Sequence, residues 1–147
     1  MKPYPHHYQV EARADAEGPV TLVAESLPAL ETAPPEQFDG PGDRWLPEAL
    51  LVGAVADCFV LTFRAIARAS GLAWTQLRAS ASGTLDRADD GPRFTAIEID
   101  AALSIPAGVD EARALRLLEK AERSCLISRS LAFPTSLHAR VETDGEG

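Results

Sequence analysis

Two cysteines are the residues of this 147-residue chain best suited to chemistry. Cys58 and Cys125 lie far apart in the sequence. A cysteine thiolate can attack the O–O bond of a peroxide, and the sulfenic acid that forms can condense with a second thiol to a disulfide. The alternative is that both cysteines fill space as small buried apolar side chains. We do not expect a permanent structural disulfide, because nothing in the sequence directs the chain to an oxidising compartment.

Two predicted helices carry these cysteines. Apolar residues recur at helical spacing over residues 47–70 and again from residue 110 to about residue 125. Pro47 suits a first helical turn, Gly71 suits the position after a last turn, and Asp110 is a good N-cap. The two apolar stripes comprise Leu51, Ala54, Cys58, Leu61 and Ala65 on the first helix, and Leu115, Leu118, Ala121 and Cys125 on the second. Because both thiols lie on these stripes, we expect both to point inward, where they could meet.

The first helix is unusually apolar. Few polar residues interrupt it besides Asp57, Thr62 and Arg64, so more than one face should be covered, as in a helix at the centre of a dimer. Its longest apolar run, residues 49–56, stops at Asp57 after eight residues. A bilayer requires about 20 apolar residues, so we predict no membrane span.

The remaining segments alternate with the period of two that is typical of strands. One hairpin is predicted over residues 8–24 with a turn at 15–19, a second over 77–105 with a turn at 86–92, and a last strand over 136–143. Residues 34–42 are rich in proline and glycine and are predicted to form a loop. The order β-β-α-β-β-α-β predicts an α+β fold, with two helices packed on largely antiparallel strands, in a single domain over residues 1–147.

Charge and composition exclude several partners. The 22 acidic and 14 basic residues give a formal net charge of -8, which repels nucleic acid and anionic lipid surfaces. The N-terminus lacks the apolar core of a secretory signal, so we expect a cytoplasmic protein. His6, His7 and His138 do not have the spacing of metal ligands, and the sequence carries no phosphate-binding loop, so we predict no metal and no cofactor.

Two motifs resemble those of the OsmC/Ohr family of thiol peroxidases. The sequences Pro-Glu-Ala-Leu-Leu at residues 47–51 and Ala-Val-Ala-Asp-Cys-Phe at 54–59 are similar to the family's first-cysteine helix. The sequence Ala-Glu-Arg-Ser-Cys at 121–125, followed by Ser128 and Leu131, is similar to its second-cysteine segment. The resemblance implies an OsmC-like fold, an intertwined homodimer, and reduction of organic hydroperoxides by Cys58. It also implies that Cys125 closes a disulfide with Cys58, which an external dithiol of the lipoyl type then reduces.

The resemblance also implies a carboxylate and an arginine beside Cys58. A thiol with a pKa of ~8.5 is about 3% ionised at pH 7, so full ionisation gains only about thirtyfold, and a fixed cation must supply further stabilisation. Glu48 matches the family's carboxylate, which orients the arginine, although a first-turn acid that interacts with the helix dipole is an alternative. The family's Gly-Gly-Arg-like segment is not reproduced in this sequence. Arg13 is the first candidate for the arginine and Arg44 is the second, and a solvent-facing charge is the alternative for both.

The absence of that glycine-arginine segment leaves a second class of function open. In this alternative the chain is a non-catalytic OsmC-like dimer that binds an apolar small molecule in the cleft between its subunits. Its cysteines would then be buried and inert.

Overall fold

A computed structural model of the chain describes residues 2–144. The chain folds as two compact units, the first ending at Leu51 and the second beginning at Val52. This division does not test the prediction of one domain over residues 1–147.

The first unit contains a three-stranded antiparallel sheet. Its strands β1 (Glu11–Arg13), β2 (Val20–Val23) and β3 (Leu30–Thr32) lie in the order β1-β2-β3. The first two strands form the hairpin that the sequence predicts, although both are shorter than expected. The sequence analysis missed β3, because three residues are too few to show a period. The predicted loop contains one 3-10 turn, Glu36–Phe38.

The second unit contains a three-stranded mixed sheet and most of the long helix α1 (Pro47–Ser70). Strands β4 (Gln76–Ala88) and β5 (Gly91–Ile105) form the predicted second hairpin, with residues 89 and 90 in its turn. After helices α2 (Glu111–Ser124) and α3 (Leu126–Arg129), strand β6 (Thr135–Thr143) pairs with β5 in parallel.

The predicted order of elements was wrong in two places. It lacks β3 and the one-turn helix α3, each too short to leave a period in the sequence. The described residues also form two sheets, and the β5–β6 pair is parallel. The connection through α2 and α3 returns the chain so that β6 runs in the direction of β5, which a tight turn could not do. The α+β content is as predicted.

The core of the second unit lies between α1, α2 and the sheet. The residues that α1 buries here recur every four positions and are Val55, Phe59, Phe63 and Ala67. They pack with inward-facing side chains of β5 and α2, namely Ile97, Ile99, Leu103, Ile105, Ala114, Leu118 and Ala121. The sequence analysis chose a different stripe of α1, which contains Cys58 and Leu61, and the prediction that this stripe faces the core was wrong. Because α1 is apolar on more than one side, periodicity alone cannot identify the side that is buried.

The predicted helix ends are confirmed. Asp110 caps α2, since its carboxylate accepts hydrogen bonds from the backbone N–H groups of Ala112 and Arg113 at 3.0 and 3.3 Å. Gly71 follows the last residue of α1 with a φ of 68°, in the left-handed region that glycine adopts without strain.

Helix α1 is much longer than the eight-residue apolar run on which the prediction of no membrane span was based. The helix has 24 residues, and its most apolar 18-residue window has a mean hydropathy of 1.9, so by length and composition it would be able to cross a bilayer. Asp57 interrupts the apolar run without ending the helix. Core helices of soluble proteins pass the same test, so this property is weak evidence for a membrane span. Only 17% of the window is buried within the chain, and much of the apolar surface of α1 is therefore uncovered.

Candidate functional site

Cys58 opens onto an apolar cavity in the second unit. The cavity has a volume of about 590 Å³ and lies between the outer side of α1 and the turn that follows α2. Its lining consists of Ala54, Asp57, Cys58, Leu61, Thr62 and Ala65 from α1, Ser124 from the end of α2, and Leu126 and Ile127 from the start of α3. Asp57 is the only carboxylate among these lining residues. An organic molecule with an apolar tail would therefore find a suitable surface next to the thiol.

The turn after α2 positions the second cysteine. Helix α2 ends at Ser124, and Cys125 adopts an extended conformation with φ -62° and ψ 117°, so it separates α2 from α3. Its side chain is fully buried, whereas Cys58 is half-buried at the cavity. Its neighbours Ser124 and Leu126 line the cavity together with Cys58, so Cys125 lies beside Cys58, and each thiol influences the pKa of the other. Cys125 therefore points inward as predicted, and Cys58 instead faces the cavity.

Several hydrogen bonds favour the thiolate form of Cys58. Burial by itself raises the pKa of this thiol, but the backbone N–H of Ile127, the Cys125 thiol, the Thr62 hydroxyl and the backbone N–H of Leu126 together lower the pKa below its ordinary value. These two backbone groups belong to the first two residues of α3, directly after Cys125. The segment from Cys125 to Ile127 thus supplies a second thiol and two donors that stabilise negative charge on Cys58.

The environment of Cys125 has the opposite effect. Burial raises the pKa of this thiol above its ordinary value, and the neighbouring Cys58 raises it further, whereas the hydroxyl and the backbone N–H of Ser128 only partly oppose the increase. The two sulfurs therefore differ in both exposure and ionisation. Cys58 is the accessible and more acidic thiol, and Cys125 is the buried and less acidic one.

The predicted carboxylate and arginines lie in the first unit. Glu48 is in the first turn of α1, and its Oε1 is buried without a hydrogen-bond partner among residues 2–144. Arg13 pairs with Glu11 at 2.8 Å, and both side chains are exposed. Arg44 pairs with Glu31 at 3.2 Å and with Asp43 at 3.1 Å.

The structure therefore does not form the predicted pair between Glu48 and an arginine within the described part of the chain. On β1, residues two apart point to the same side of the strand, so Arg13 reaches the carboxylate of Glu11 locally. The sequence predicts an arginine paired with Glu48, whereas Glu48 Oε1 has no hydrogen-bond partner among residues 2–144.

The sequence analysis missed two contributors to the site. Thr62 lies one helical turn after Cys58, and its hydroxyl contacts the sulfur; the spacing of four residues on a helix is a signal that could have identified it. The backbone N–H groups of Leu126 and Ile127 leave no signal in the residue types, because any residue except proline has such a group. Among the described residues, no three His, Cys, Asp or Glu side chains are arranged to hold a metal ion.

Comparison with known proteins identifies the family. The family model described as OsmC-like protein matches residues 40–140, so this chain belongs to the OsmC-like family. The uncharacterized protein YmaD of Bacillus subtilis (strain 168) is 32% identical over 117 residues, which cover 76% of this chain and 78% of that protein.

Solved structures share the fold. An organic hydroperoxide resistance protein OsmC from Legionella pneumophila superimposes with a TM-score of 0.75 at 20% identity, covering 95% of this chain and 99% of that chain. The organic hydroperoxide resistance protein OhrB of Bacillus subtilis superimposes with a TM-score of 0.68 at 15% identity, covering 93% and 98%. The fold is therefore OsmC-like, and the family includes organic hydroperoxide resistance proteins.

Proposed function

We propose that this protein is a thiol peroxidase that reduces organic hydroperoxides to alcohols, with Cys58 as the attacking cysteine and Cys125 as the resolving cysteine. The observation that carries the proposal is the placement of two unequal thiols at one cavity: Cys58 lines it, and the buried Cys125 lies between Ser124 and Leu126, which also line it. The accessible thiol has the lowered pKa that an attacking cysteine needs, and the buried thiol has a raised pKa. Membership of a family that includes organic hydroperoxide resistance proteins supports the same function.

The reaction proceeds in two steps, an oxidation of Cys58 by the hydroperoxide and a condensation with Cys125. The Cys58 thiolate attacks the terminal oxygen of the hydroperoxide, so an S–O bond forms, the O–O bond breaks, and the alkoxide leaves and takes up a proton from water. Cys58 loses two electrons and becomes a sulfenic acid. The Cys125 thiolate then attacks the sulfur of Cys58, an S–S bond forms, and hydroxide leaves and is protonated to water.

An external dithiol closes the cycle, and we propose one of the lipoyl type. One of its thiolates attacks the disulfide and its second thiol resolves the mixed disulfide, which returns both cysteines to the reduced form and leaves the dithiol oxidised. We also propose that the protein is cytoplasmic, where a disulfide between Cys58 and Cys125 would be transient and catalytic rather than structural.

The cavity lining favours organic over hydrogen peroxide. Its surface is largely apolar, and residues such as Leu61 and Ile127 can pack against a hydrocarbon tail. Burial of an apolar surface contributes about 25 cal/mol per Å², a term that hydrogen peroxide cannot use.

We also propose an intertwined homodimer. The outer side of α1 is apolar but uncovered, with Leu61 exposed, and Leu126 and Ile127 beside it are exposed as well. A contiguous apolar surface of this kind marks an interaction site, and a second copy of the chain is the partner that family membership supports.

Glu48 is proposed to orient an arginine that polarises the peroxide. Its buried Oε1 lacks a partner among residues 2–144, and a guanidinium would satisfy it with a charge-assisted hydrogen bond. Arg13 is the first candidate and Arg44 the second, and each would have to leave its present carboxylate partners.

Peroxide consumption with dihydrolipoamide as reductant tests the proposal. We expect the wild type to consume cumene hydroperoxide faster than hydrogen peroxide, and Cys58→Ser to abolish consumption. Without reductant, Cys125→Ser should consume one equivalent of cumene hydroperoxide and leave a sulfenic acid on Cys58 instead of a disulfide. Unchanged turnover by Cys58→Ser would refute the assignment.

A non-catalytic role is the second candidate, and the lack of a hydrogen-bond partner for Glu48 Oε1 among residues 2–144 favours it. In this role the dimer binds an apolar small molecule in the cleft between its subunits, and the cysteines are inert. Thiol labelling of the native protein at neutral pH discriminates the two candidates. Fast labelling of Cys58 supports the peroxidase, whereas slow labelling of both cysteines supports the binding protein.

A further inference from the structure

We propose that Thr62 is a catalytic residue, whose hydroxyl donates a hydrogen bond to the Cys58 thiolate and holds the sulfur at the cavity. This inference rests on the proposed peroxidase function and adds a residue to its site. It starts from a polar side chain on an otherwise apolar part of α1.

The geometry connects the hydroxyl to the sulfur. Thr62 Oγ1 lies 3.8 Å from Cys58 Sγ, and the two residues are separated by one helical turn. Threonine hydroxyls inside helices usually donate to the carbonyl oxygen four residues earlier. Within residues 2–144, the contact with Cys58 Sγ is the only hydrogen bond that Thr62 Oγ1 makes. Both side chains also line the same cavity.

The direction of this hydrogen bond depends on the protonation of Cys58. In the thiol form the S–H group can donate to Oγ1, whereas a thiolate can only accept, so the threonine hydroxyl must then be the donor. Charge-assisted hydrogen bonds are stronger than neutral ones. The hydroxyl therefore stabilises the thiolate more than the thiol, and it does so without bringing a charge into the cavity.

A hydrogen bond to the thiolate has two opposing effects on the reaction rate. A net stabilisation of about 1 kcal/mol raises the thiolate fraction about fivefold at pH values below the titration of the thiol. The nucleophilicity of a thiolate falls with its basicity, with a slope of about 0.4–0.5, so each thiolate reacts about twofold more slowly. The hydroxyl should therefore speed Cys58 about two- to threefold at acidic to neutral pH and slow it about twofold once the thiol is fully ionised.

Substitution of Thr62 by valine removes the hydroxyl and keeps the shape. We expect the alkylation of Cys58 by iodoacetamide, followed by peptide mapping, to be slower in Thr62→Val than in the wild type at low pH and faster at high pH. The two rate profiles should cross. Thr62→Ser retains the hydroxyl and should restore the wild-type profile. Thr95→Val removes a threonine hydroxyl from β5, where Thr95 bonds the Thr84 carbonyl, and serves as the control.

The test variants leave the other titratable groups near Cys58 unchanged. Asp57 lines the cavity and Cys125 influences the pKa of Cys58, and all variants keep both residues. Because alkylation requires no peroxide, the crossing of the profiles tests Thr62 even if no variant consumes hydroperoxide. The latter result would overturn only the peroxidase function.

Two results would overturn the inference. A Thr62→Val profile that coincides with the wild type would show that the hydroxyl does not act on the sulfur. A Thr62→Ser profile that follows Thr62→Val would show that retaining the hydroxyl does not restore the wild-type behaviour, so the effect would not come from the hydroxyl. Thermal melting of each variant checks the fold, and Thr62→Ala replaces the valine variant if that variant does not fold.

Discussion

Asp57 should make the site discriminate between hydroperoxides by charge. It is exposed at the cavity and is the only carboxylate among the residues that line it with Cys58. An anionic substrate, such as the hydroperoxide of a fatty acid, would place a second negative charge near this side chain. We therefore predict that Asp57→Asn increases kcat/KM for an anionic hydroperoxide and leaves a neutral one nearly unchanged.

The size of the cavity sets the magnitude of this effect. A sphere with the volume of the cavity, about 590 Å³, has a radius of about 5 Å, so a carboxylate bound inside it would lie within about 10 Å of Asp57, and we take roughly 8 Å for the calculation. At that distance two unit charges repel by about 0.5 kcal/mol in water and by about 2 kcal/mol at an effective dielectric constant of 20. Because Asp57 is exposed, we expect a value near the lower limit, which corresponds to an increase of about two- to fivefold.

A matched pair of substrates isolates the charge. Linoleic acid hydroperoxide and its methyl ester share a tail and differ in the carboxylate, so the ratio of their kcat/KM values cancels most effects on the thiol itself. The ratio should rise in Asp57→Asn, and the difference from the wild type should shrink in 1 M salt, where the Debye length is about 3 Å.

A second variant separates the effect of the charge at Asp57 from the effect of the protein's net charge. Asp100→Asn removes the same charge from the exposed side of β5, where Asp100 lines a different cavity. We expect Asp100→Asn to leave the substrate ratio unchanged. Equal ratios in the wild type and Asp57→Asn, or an equal rise in Asp100→Asn, would refute the reasoning.

Three further predictions concern the thiols, the exposed face of α1 and the core. Cys58 should become reactive to alkylation at a lower pH than Cys125, because hydrogen bonds lower the pKa of Cys58 and burial raises the pKa of Cys125. Peptide mapping after pulsed labelling measures both thiols, and the reverse order would contradict the account. Leu61→Glu should convert a dimer to a monomer in light scattering at unchanged circular dichroism, since it places a charge on the uncovered face, and a persistent dimer would exclude this face. Phe63→Ala should destabilise the fold by about 3–5 kcal/mol in urea unfolding, because it leaves a cavity beside Trp74, and a loss below about 1 kcal/mol would contradict this packing.

The sequence predicted the elements that have clear periods and end signals. Asp110 and Gly71 delimit α2 and α1 as expected, because N-capping and the left-handed conformation depend on single residues. The sequence did not predict β3 and α3, because segments of three and four residues carry no period. The parallel direction of β6 depends on how the chain returns through α2 and α3, which no local pattern encodes.

The site was only partly predictable for a similar reason. Both cysteines were identified by type and surroundings, but the side of α1 that carries Cys58 was not, because α1 has apolar residues on more than one side. The groups that lower the pKa of Cys58 include backbone N–H groups from a turn remote in sequence. The arginine remains a prediction, because Arg13 and Arg44 both have local carboxylate partners in the structure.

The most direct test of the central claim is to identify which sulfur atoms an organic hydroperoxide oxidises. Reduced protein is mixed with one equivalent of cumene hydroperoxide, digested without reductant and analysed by mass spectrometry. The account predicts a disulfide-linked pair of peptides containing Cys58 and Cys125, formed within the time of peroxide loss, in protein that runs as a single chain on a non-reducing denaturing gel. Peroxide that remains unconsumed, or protein in which both cysteines stay reduced and unlinked, would contradict it.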